Sequence, residues 1–166
     1  MNTYILNGTM EIAREHASGD RVLVCNFAWS TSKPSLREKY YAWKGHYEIA
    51  ELHKFCQQTL ECDILVLNGG DSPTLINNLR KTGWFHTLDN KVILAYSAGI
   101  SALTKASYNF DHHKIVNGLG MLDYTSIVHW TGHNIEQWHG AYELIDKFSQ
   151  YLFLPVRDDE YYVIER

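Results

Sequence analysis

The sequence has little cysteine, and its three cysteines suit neither a disulfide framework nor a metal site. Cys25, Cys56 and Cys62 are odd in number and lack the paired spacing of zinc ligands. Cys25 lies inside an apolar, strand-like run, which predicts a buried thiol and fits a reducing compartment. We therefore expect no metal and no cofactor.

The sequence also lacks a long apolar run and a cluster of Lys and Arg. The first six residues show neither a basic region nor an apolar stretch, so we expect no signal peptide, no membrane contact and a cytoplasmic protein. The formal net charge is −4, which argues against a general nucleic-acid-binding protein.

Length and composition are those of an ordinary folded domain. The 166 residues are 45% hydrophobic and 20% charged, without a repeat, a low-complexity tract or a linker. We expect one domain over residues 1–166, either as a monomer or as a homodimer.

Short apolar runs alternate with amphipathic segments along the chain, which is typical of an α/β fold with a mostly parallel sheet. We predict a three-layer sandwich in which helices cover both faces of that sheet. Helices are predicted near residues 34–41, 54–61, 74–82 and 136–148, with Ser72 as a cap before Pro73. Strands are predicted at residues 4–6, 21–27, 63–67, 91–95 and 126–130, followed by a terminal hairpin with a turn at residues 157–159.

The strand at residues 91–95 ends abruptly in Tyr96-Ser97-Ala98-Gly99. A small residue two positions before and after a serine, between a strand and a helix, is the pattern of a nucleophile elbow. Such a turn raises the serine hydroxyl at the sheet edge and points the following amides toward a developing oxyanion. An ordinary buried strand followed by a loop is the alternative interpretation.

A second turn, residues 68–72, follows the preceding strand in the same way. Its Gly69 and Gly70 let the backbone approach a ligand closely, and the carboxyl ends of parallel strands are where ligands bind in such sheets. We expect Gly69, Asp71 and Ser72 to contact substrate, although a plain tight turn would have the same sequence.

A serine nucleophile needs a base, and His129 is the best of nine histidines because it follows the apolar residues 126–128 at a predicted sheet end. Asp111 is the preferred carboxylate to orient that imidazole, and Asp123 is its competitor. A metal site of His129, His133 and the cluster at residues 111–113 is a further alternative. The His-to-His spacing of four suits a helix, which Thr131-Gly132 disfavours.

These motifs together resemble the serine peptidases of the dipeptidase E (aspartyl dipeptidase) and cyanophycinase group, whose fold is like that of class I glutamine amidotransferases, a flavodoxin-like arrangement. The family has a Gly-Gly-Gly-Asn-Thr turn, a Ser-Ala-Gly elbow, a Gly-Leu-Gly-Leu segment and a Pro-His-aromatic segment. The likeness spans nearly the whole chain, and the four matching segments occur in that order at residues 68–72, 96–99, 118–121 and 128–130.

The resemblance implies a serine-type peptidase acting on small peptides, in a family that favours an N-terminal aspartate. By position, Ser97 corresponds to the nucleophile, His129 to the base, and Gly70 and Ala98 to the oxyanion-hole amides. The family's acidic residue falls at Asp111 or His112, of which we choose Asp111. An aspartyl substrate would need a cation, for which Arg80, Lys105 and Lys114 are candidates.

Several departures from the family pattern bear on activity. Asn68 replaces the first glycine, Asp71-Ser72 replaces Asn-Thr, and Val128 replaces the proline before the histidine. The chain is also shorter than typical members. A binding protein that keeps the fold without catalysis is therefore the alternative function. A glutamine amidotransferase is disfavoured because that chemistry uses a cysteine where this chain has Ser97.

Overall fold

The structure is a computed structural model that describes residues 1–29 and 46–166. The helix predicted near residues 34–41 lies outside the described residues. The described part contains five α-helices and a short 3₁₀ helix at Trp84–Thr87. The α-helices are α1 (Met10–His16), α2 (Phe55–Glu61), α3 (Ser72–Thr82), α4 (Ala98–Leu103) and α5 (Ile135–Lys147).

A six-stranded sheet forms the centre of the fold, with the strand order β10-β1-β5-β4-β2-β3. All its pairs are parallel except that of β1 with β10. Its strands are β1 (Thr3–Leu6), β2 (Val22–Cys25), β3 (Tyr47–Ile49), β4 (Ile64–Leu67), β5 (Val92–Ala95) and β10 (Tyr162–Glu165). Every residue of β2, β4 and β5 is buried, as expected for strands covered on both faces.

Alternate residues of these strands enter two separate hydrophobic clusters, because successive side chains point to opposite faces of a sheet. Leu65 and Leu67 pack with Phe55 of α2 and Leu75 of α3. Ile64 and Val66, which alternate with them in β4, join the cluster that contains Met10 and Ala13 of α1. Helices thus cover both faces, which gives the predicted three layers.

A second, four-stranded sheet has the order β7-β6-β8-β9. Its strands are β6 (Ala106–Asn109), β7 (Lys114–Asn117), β8 (Tyr124–Ile127) and β9 (Leu152–Pro155). The pairs β6–β8 and β8–β9 are parallel, while β6–β7 is antiparallel. α5 packs on one face of this sheet through Ala141 and Leu144, which join Tyr108 and Ile127 in a third cluster.

The predicted α/β class with mostly parallel strands is confirmed, but the strands divide into two sheets instead of forming one. The predicted terminal hairpin is wrong. β9 pairs with β8 in the second sheet, whereas β10 crosses to the first sheet and pairs with β1. The loop between them therefore passes over the carboxyl ends of strands in both sheets.

The N-cap of helix α3 lies one residue earlier than predicted. Asp71, rather than Ser72, is the N-cap, and its carboxylate accepts a hydrogen bond from the Thr74 amide at 2.9 Å. Both side chains suit this role, and Asp71 occupies it because Ser72 is already the first helical residue and is buried. Gly83 ends the helix in a left-handed conformation.

The described part of the chain holds all three cysteines as free thiols. Cys25 is fully buried, and this burial raises its pKa to about 12, so that it stays a neutral, unreactive thiol. None of the helices in the described ranges is both long and apolar enough to cross a bilayer.

Candidate active site

Ser97 lies between the end of β5 and the start of α4 in a strained backbone conformation. Its φ is 46° and its ψ is −110°, a region that non-glycine residues rarely occupy. The close approach of α4 to β4 explains the glycine two positions later. A Cβ on Gly99 would lie 2.2 Å from the carbonyl oxygen of Leu67.

The turn after β4 lies directly against Ser97. A Cβ added to Gly69 would be 3.2 Å from the Ser97 Cβ, so the two turns touch at the same sheet edge. Gly70 has a φ of +129°, and a Cβ there would come within 2.8 Å of both Ala28 and Trp29. Glycine is therefore required at this position for both conformation and space.

Tyr96 anchors the strand that carries Ser97. Its hydroxyl donates a 2.7 Å hydrogen bond to the carbonyl of Gly8, just beyond the end of β1. Burial and the nearby Glu11 raise the Tyr96 pKa to about 12, so the phenol remains a neutral donor. The carboxyl ends of β1 and β5 are thereby held together beside Ser97.

His129 follows β8, and its Nε2 lies 3.0 Å from the Ser97 Oγ. The sequence prediction that these two residues lie within hydrogen-bonding reach agrees with this distance. His129 has a φ of 56°, a second strained non-glycine residue at the same site.

Buried Gln137 of α5 supports the backbone around His129. Its side-chain amide donates to the His129 carbonyl at 2.6 Å. Its oxygen accepts from the amide and hydroxyl of Thr131, at 2.9 and 3.0 Å. These three bonds tie the loop after β8 to α5, so the position of the imidazole depends on that helix.

The carboxylate beside His129 belongs to Asp158. Its Oδ1 lies 2.6 Å from the His129 Nδ1, on the opposite side of the ring from Ser97. With Nδ1 donating to the carboxylate, Nε2 is left as the acceptor for the Ser97 hydroxyl; this tautomer is assigned from the hydrogen-bond network.

The structure therefore corrects the predicted acid. Asp111 is exposed in the turn between β6 and β7, and no hydrogen bond among the described residues links it to His129. Asp123 pairs instead with Lys105 at 3.1 Å and with Arg166 at 2.9 Å. Both lie between Ser97 and His129 in the chain, whereas the carboxylate beside His129 comes from the loop after β9.

Asp158 lies beside His129 because of the course of the chain between the two sheets. Asn7, at the end of β1, donates from its side-chain amide to the carbonyls of Arg157 and Glu160 at 2.9 and 3.1 Å. The bonds hold the loop of Asp158 above the strand ends. The sequence prediction missed both Asn7 and Asp158, because no local pattern shows that the segment after β9 lies beside His129.

Asp71, predicted to contact substrate, forms a hydrogen bond with His112. The His112 Nε2 lies 3.0 Å from its Oδ1. Although burial raises the pKa of this carboxyl, its hydrogen bonds to Thr74 and His112 outweigh burial and lower it overall, so Asp71 is charged near neutral pH. An anion thus follows directly after Gly70.

The histidines considered for a metal site lie in separate contacts. His112 pairs with Asp71, His113 pairs with Glu136 at 2.5 Å, and His129 lies between Ser97 and Asp158. Within residues 1–29 and 46–166, no group of three or more His, Cys, Asp or Glu side chains is arranged to hold a metal ion.

Two of the three cations considered for binding an aspartyl side chain are already engaged. The guanidinium of Arg80 donates to the carbonyls of Asn117 and Gly118 at 3.2 and 3.0 Å. Lys105 is the partner of Asp123. Gly118 belongs to the third segment that resembles the peptidase family, and Leu119 beside it donates to Ala102 of α4. This segment therefore supports the helix that follows Ser97.

Comparison with known proteins finds similar structures but no match by sequence. No protein-family model matches the sequence, and no curated protein is similar to it. Among solved structures, a candidate peptidase E protein from Listeria monocytogenes EGD-e is similar with a TM-score of 0.66 and 16% identity. The match covers 99% of this chain and 94% of that one.

A peptidase from an acI-B1 Actinobacterium is similar to nearly the same degree. Its TM-score is 0.65 at 14% identity, over 99% of this chain and 83% of that one. At such identities the likeness establishes the fold. The chain has the fold of the peptidase E family.

Proposed function

We propose that this protein is a serine-type hydrolase that cleaves small peptides, with Ser97 as nucleophile, His129 as base and Asp158 as the orienting carboxylate. The observation that carries the proposal is the continuous hydrogen-bonded series from the Ser97 hydroxyl through the His129 ring to Asp158, at 3.0 and 2.6 Å. This is the arrangement by which a weakly nucleophilic hydroxyl is activated near neutral pH.

In the first half of the reaction, the Ser97 Oγ attacks the scissile carbonyl carbon while His129 Nε2 takes the hydroxyl proton. Asp158 holds the imidazole in the required tautomer and stabilises the imidazolium that forms. His129 then gives its proton to the leaving amine as the carbon–nitrogen bond breaks. Water, activated in turn by His129, releases the acyl group from Ser97.

The amides of Gly70 and Ala98 are proposed to hold the oxyanion. Ala98 is the first residue of α4, so its N–H has no acceptor within the helix. Gly70 lies in the turn that touches Ser97, with the positive φ that only glycine adopts readily. Two such donors aimed at the developing charge would lower the barrier by several kcal/mol, about 2.7–4 for each.

Small peptides are the proposed substrate class. The resemblance to the peptidase E family favours an N-terminal aspartate, and peptides of this kind are the first to test. The charge of Asp71 next to Gly70 favours a positive group on the substrate in that direction, such as a free amino terminus.

A second candidate function is ligand binding without hydrolysis. It is favoured by the exposure of Asp158, whose side chain is 72% accessible to water, since a well-hydrated carboxylate orients and stabilises an imidazolium less strongly. A binding protein would keep the Gly69-Gly70 turn as a ligand cradle and would show no turnover.

A dipeptide-library hydrolysis assay separates the two functions. We expect the wild-type protein to release amino acids from a subset of dipeptides and the Ser97→Ala variant to release none. Ligand binding by both proteins without turnover by either would contradict the hydrolase and support the binding function.

A further inference from the structure

One face of α5 is apolar and exposed, although the opposite face is already packed on the second sheet. Gln137, Gly140, Ala141 and Leu144 form the buried face. The exposed face, here called the α5 stripe, consists of Ile135, Trp138, Tyr142 and Ile145. Their exposed fractions include 86% for Ile135 and 67% for Tyr142. Single exposed apolar residues are ordinary, but four on one helix face are not.

The spacing of the α5 stripe is that of a helix-to-helix seam. The four residues occur at intervals of three, four and three, the a/d positions of two successive heptads. They extend over about 15 Å of helix, at about 1.5 Å per residue. The helix thus carries two apolar faces, of which one is used within the monomer.

The α5 stripe is also self-complementary. A two-fold axis near Gly140, with two α5 helices antiparallel, brings Ile135 opposite Ile145 of the second copy and Trp138 opposite Tyr142. Each layer then joins two isoleucines or two aromatic rings, so no layer places an isoleucine against an aromatic ring. The sequence of the helix face is therefore close to a palindrome, as an isologous dimer requires.

The residues beside the α5 stripe are compatible with the same two-fold axis. His139 and Glu143 border the stripe and lie 3.2 Å apart within one helix. In the register that pairs Ile135 with Ile145, His139 falls opposite the small Ala141, and Asp146 falls opposite the uncharged Asn134. This register therefore places no like charges directly opposite each other.

The exposed area of the α5 stripe approaches that of a small specific interface. Full burial of a Tyr or Trp removes about 150–250 Å² from water. With 67% of Tyr142 and 44% of Trp138 exposed, these two residues alone offer roughly 170–280 Å² in each copy. The two isoleucines and the bordering pair add to this, toward the total of about 1,000 Å² that a specific interface needs.

We propose that the α5 stripe joins two copies of this chain in an antiparallel, two-fold symmetric dimer. Trp138 also contacts the loop that follows His129, since its ring nitrogen donates to the Gly132 carbonyl at 2.9 Å and its ring packs on Trp130. The dimer would therefore stabilise, through Trp138, the loop that follows His129. The proposal concerns association alone and does not depend on the hydrolase function.

Sedimentation velocity over about a hundredfold concentration range tests the proposal, since mass action shifts a dimer equilibrium with concentration. We expect the wild-type chain of 19.2 kDa to sediment as a dimer of about 38 kDa at the higher concentrations. Ile135→Lys and Ile145→Glu should each raise the dimer dissociation constant at least about tenfold, because each buries an unpaired charge. Leu60→Lys, on the exposed face of α2, is the matched control and should leave association unchanged.

The double variant Ile135→Lys/Ile145→Glu tests the orientation. In the antiparallel dimer each new lysine faces a new glutamate, so association should recover toward the wild-type level. Far-ultraviolet circular dichroism establishes that each variant is folded. A wild-type protein that stays monomeric, with or without binding to phosphatidylcholine vesicles, would overturn the proposal, as would a dimer unaffected by the single changes or not restored in the double variant.

Discussion

The role assigned to Asp158 rests on a single contact of 2.6 Å to His129. Replacing this residue by asparagine keeps the shape and removes the negative charge that fixes the tautomer and stabilises the imidazolium. We expect Asp158→Asn to lower kcat/KM for a responsive dipeptide by about 10²–10⁴-fold, toward the lower end because the site is open to water.

Asp111→Asn is the matched control for this change. Asp111 is exposed in the β6–β7 turn, so the same substitution there should leave kcat/KM within about twofold of wild type. A large loss in Asp111→Asn together with a small loss in Asp158→Asn would restore the acid predicted from the sequence.

Gln137 permits a pH-dependent test of how His129 is held. In Gln137→Glu, a protonated carboxyl can still donate to the His129 carbonyl, whereas an ionised carboxylate repels it. A glutamate pKa is near 4.3 in water and is raised by burial, so folding favours the protonated form. Stability relative to wild type should therefore be best preserved at low pH and decline as the pH rises through the raised pKa.

The measurement is the thermal midpoint of Gln137→Glu and wild type between about pH 4 and pH 8. Gln137→Met, which has no hydrogen bonds to lose or regain, should show a loss of about 1–3 kcal/mol that does not change with pH. If the thermal midpoint of Gln137→Glu equalled that of Gln137→Met at every pH, the hydrogen bond to the His129 carbonyl would be unimportant for stability.

At the scale of elements, the end of β1 positions the loop between β9 and β10. Asn7→Asp keeps the shape of the side chain and removes the two donors to the carbonyls of Arg157 and Glu160. We expect a stability loss of about 1–3 kcal/mol, since two hydrogen bonds are lost and carbonyl oxygens then face a carboxylate.

The more specific result of Asn7→Asp should be a fall in kcat, because the Asp158 loop is no longer held over His129. Asn7→Gly, which tolerates the φ of 57° but also lacks the donors, should show the same fall in kcat. Steady-state kinetics with a responsive dipeptide is the measurement. Unchanged kcat in both variants would mean that the loop is held by other contacts.

The packing of α4 against β4 leaves no room for a side chain at Gly99. In Gly99→Ala the added Cβ would lie 2.2 Å from the Leu67 carbonyl, and backbone rather than a mobile side chain must move. We expect a loss of about 3 kcal/mol or more in chemical denaturation. Gly83→Ala is the comparison: no atom lies within 4 Å, and only the left-handed φ is strained, at a cost of about 1 kcal/mol.

The strands, turns and helix caps differ in how far they could be predicted from the sequence. The buried strands were found because continuous apolar runs such as residues 64–67 have few other interpretations. The glycine turn and the Ser97 turn were placed at one sheet edge because parallel strands end together. The cap of α3 was misplaced by one residue, since Asp71 and Ser72 are both good caps and only the structure shows which of them is helical.

At the scale of the whole molecule, the carboxylate beside His129 was unpredictable for a topological reason. The segment after β9 resembles a hairpin turn locally, but β10 finds its partner in β1 at the other end of the chain. The contact that holds the loop joins residues 150 positions apart, Asn7 and Arg157. No local pattern encodes such a contact, so the choice among several aspartates needed the fold.

The whole molecule also places its elements around one functional edge. The first sheet supplies Ser97 and the glycine turn, the second sheet supplies His129, and the crossing between the sheets supplies Asp158. A site assembled across two sheets depends on their relative position, which Asn7 and Gln137 fix from either side.

The central claim, that His129 activates Ser97, is tested most directly by fluorophosphonate labelling followed by intact-mass measurement. We predict one adduct per wild-type chain, located at Ser97, and none in Ser97→Ala. His129→Ala should label at least about 10²-fold more slowly, because general-base assistance contributes typically 10²–10⁴-fold. A wild-type protein that remains unlabelled, or that reacts at the same rate without His129, would contradict the account.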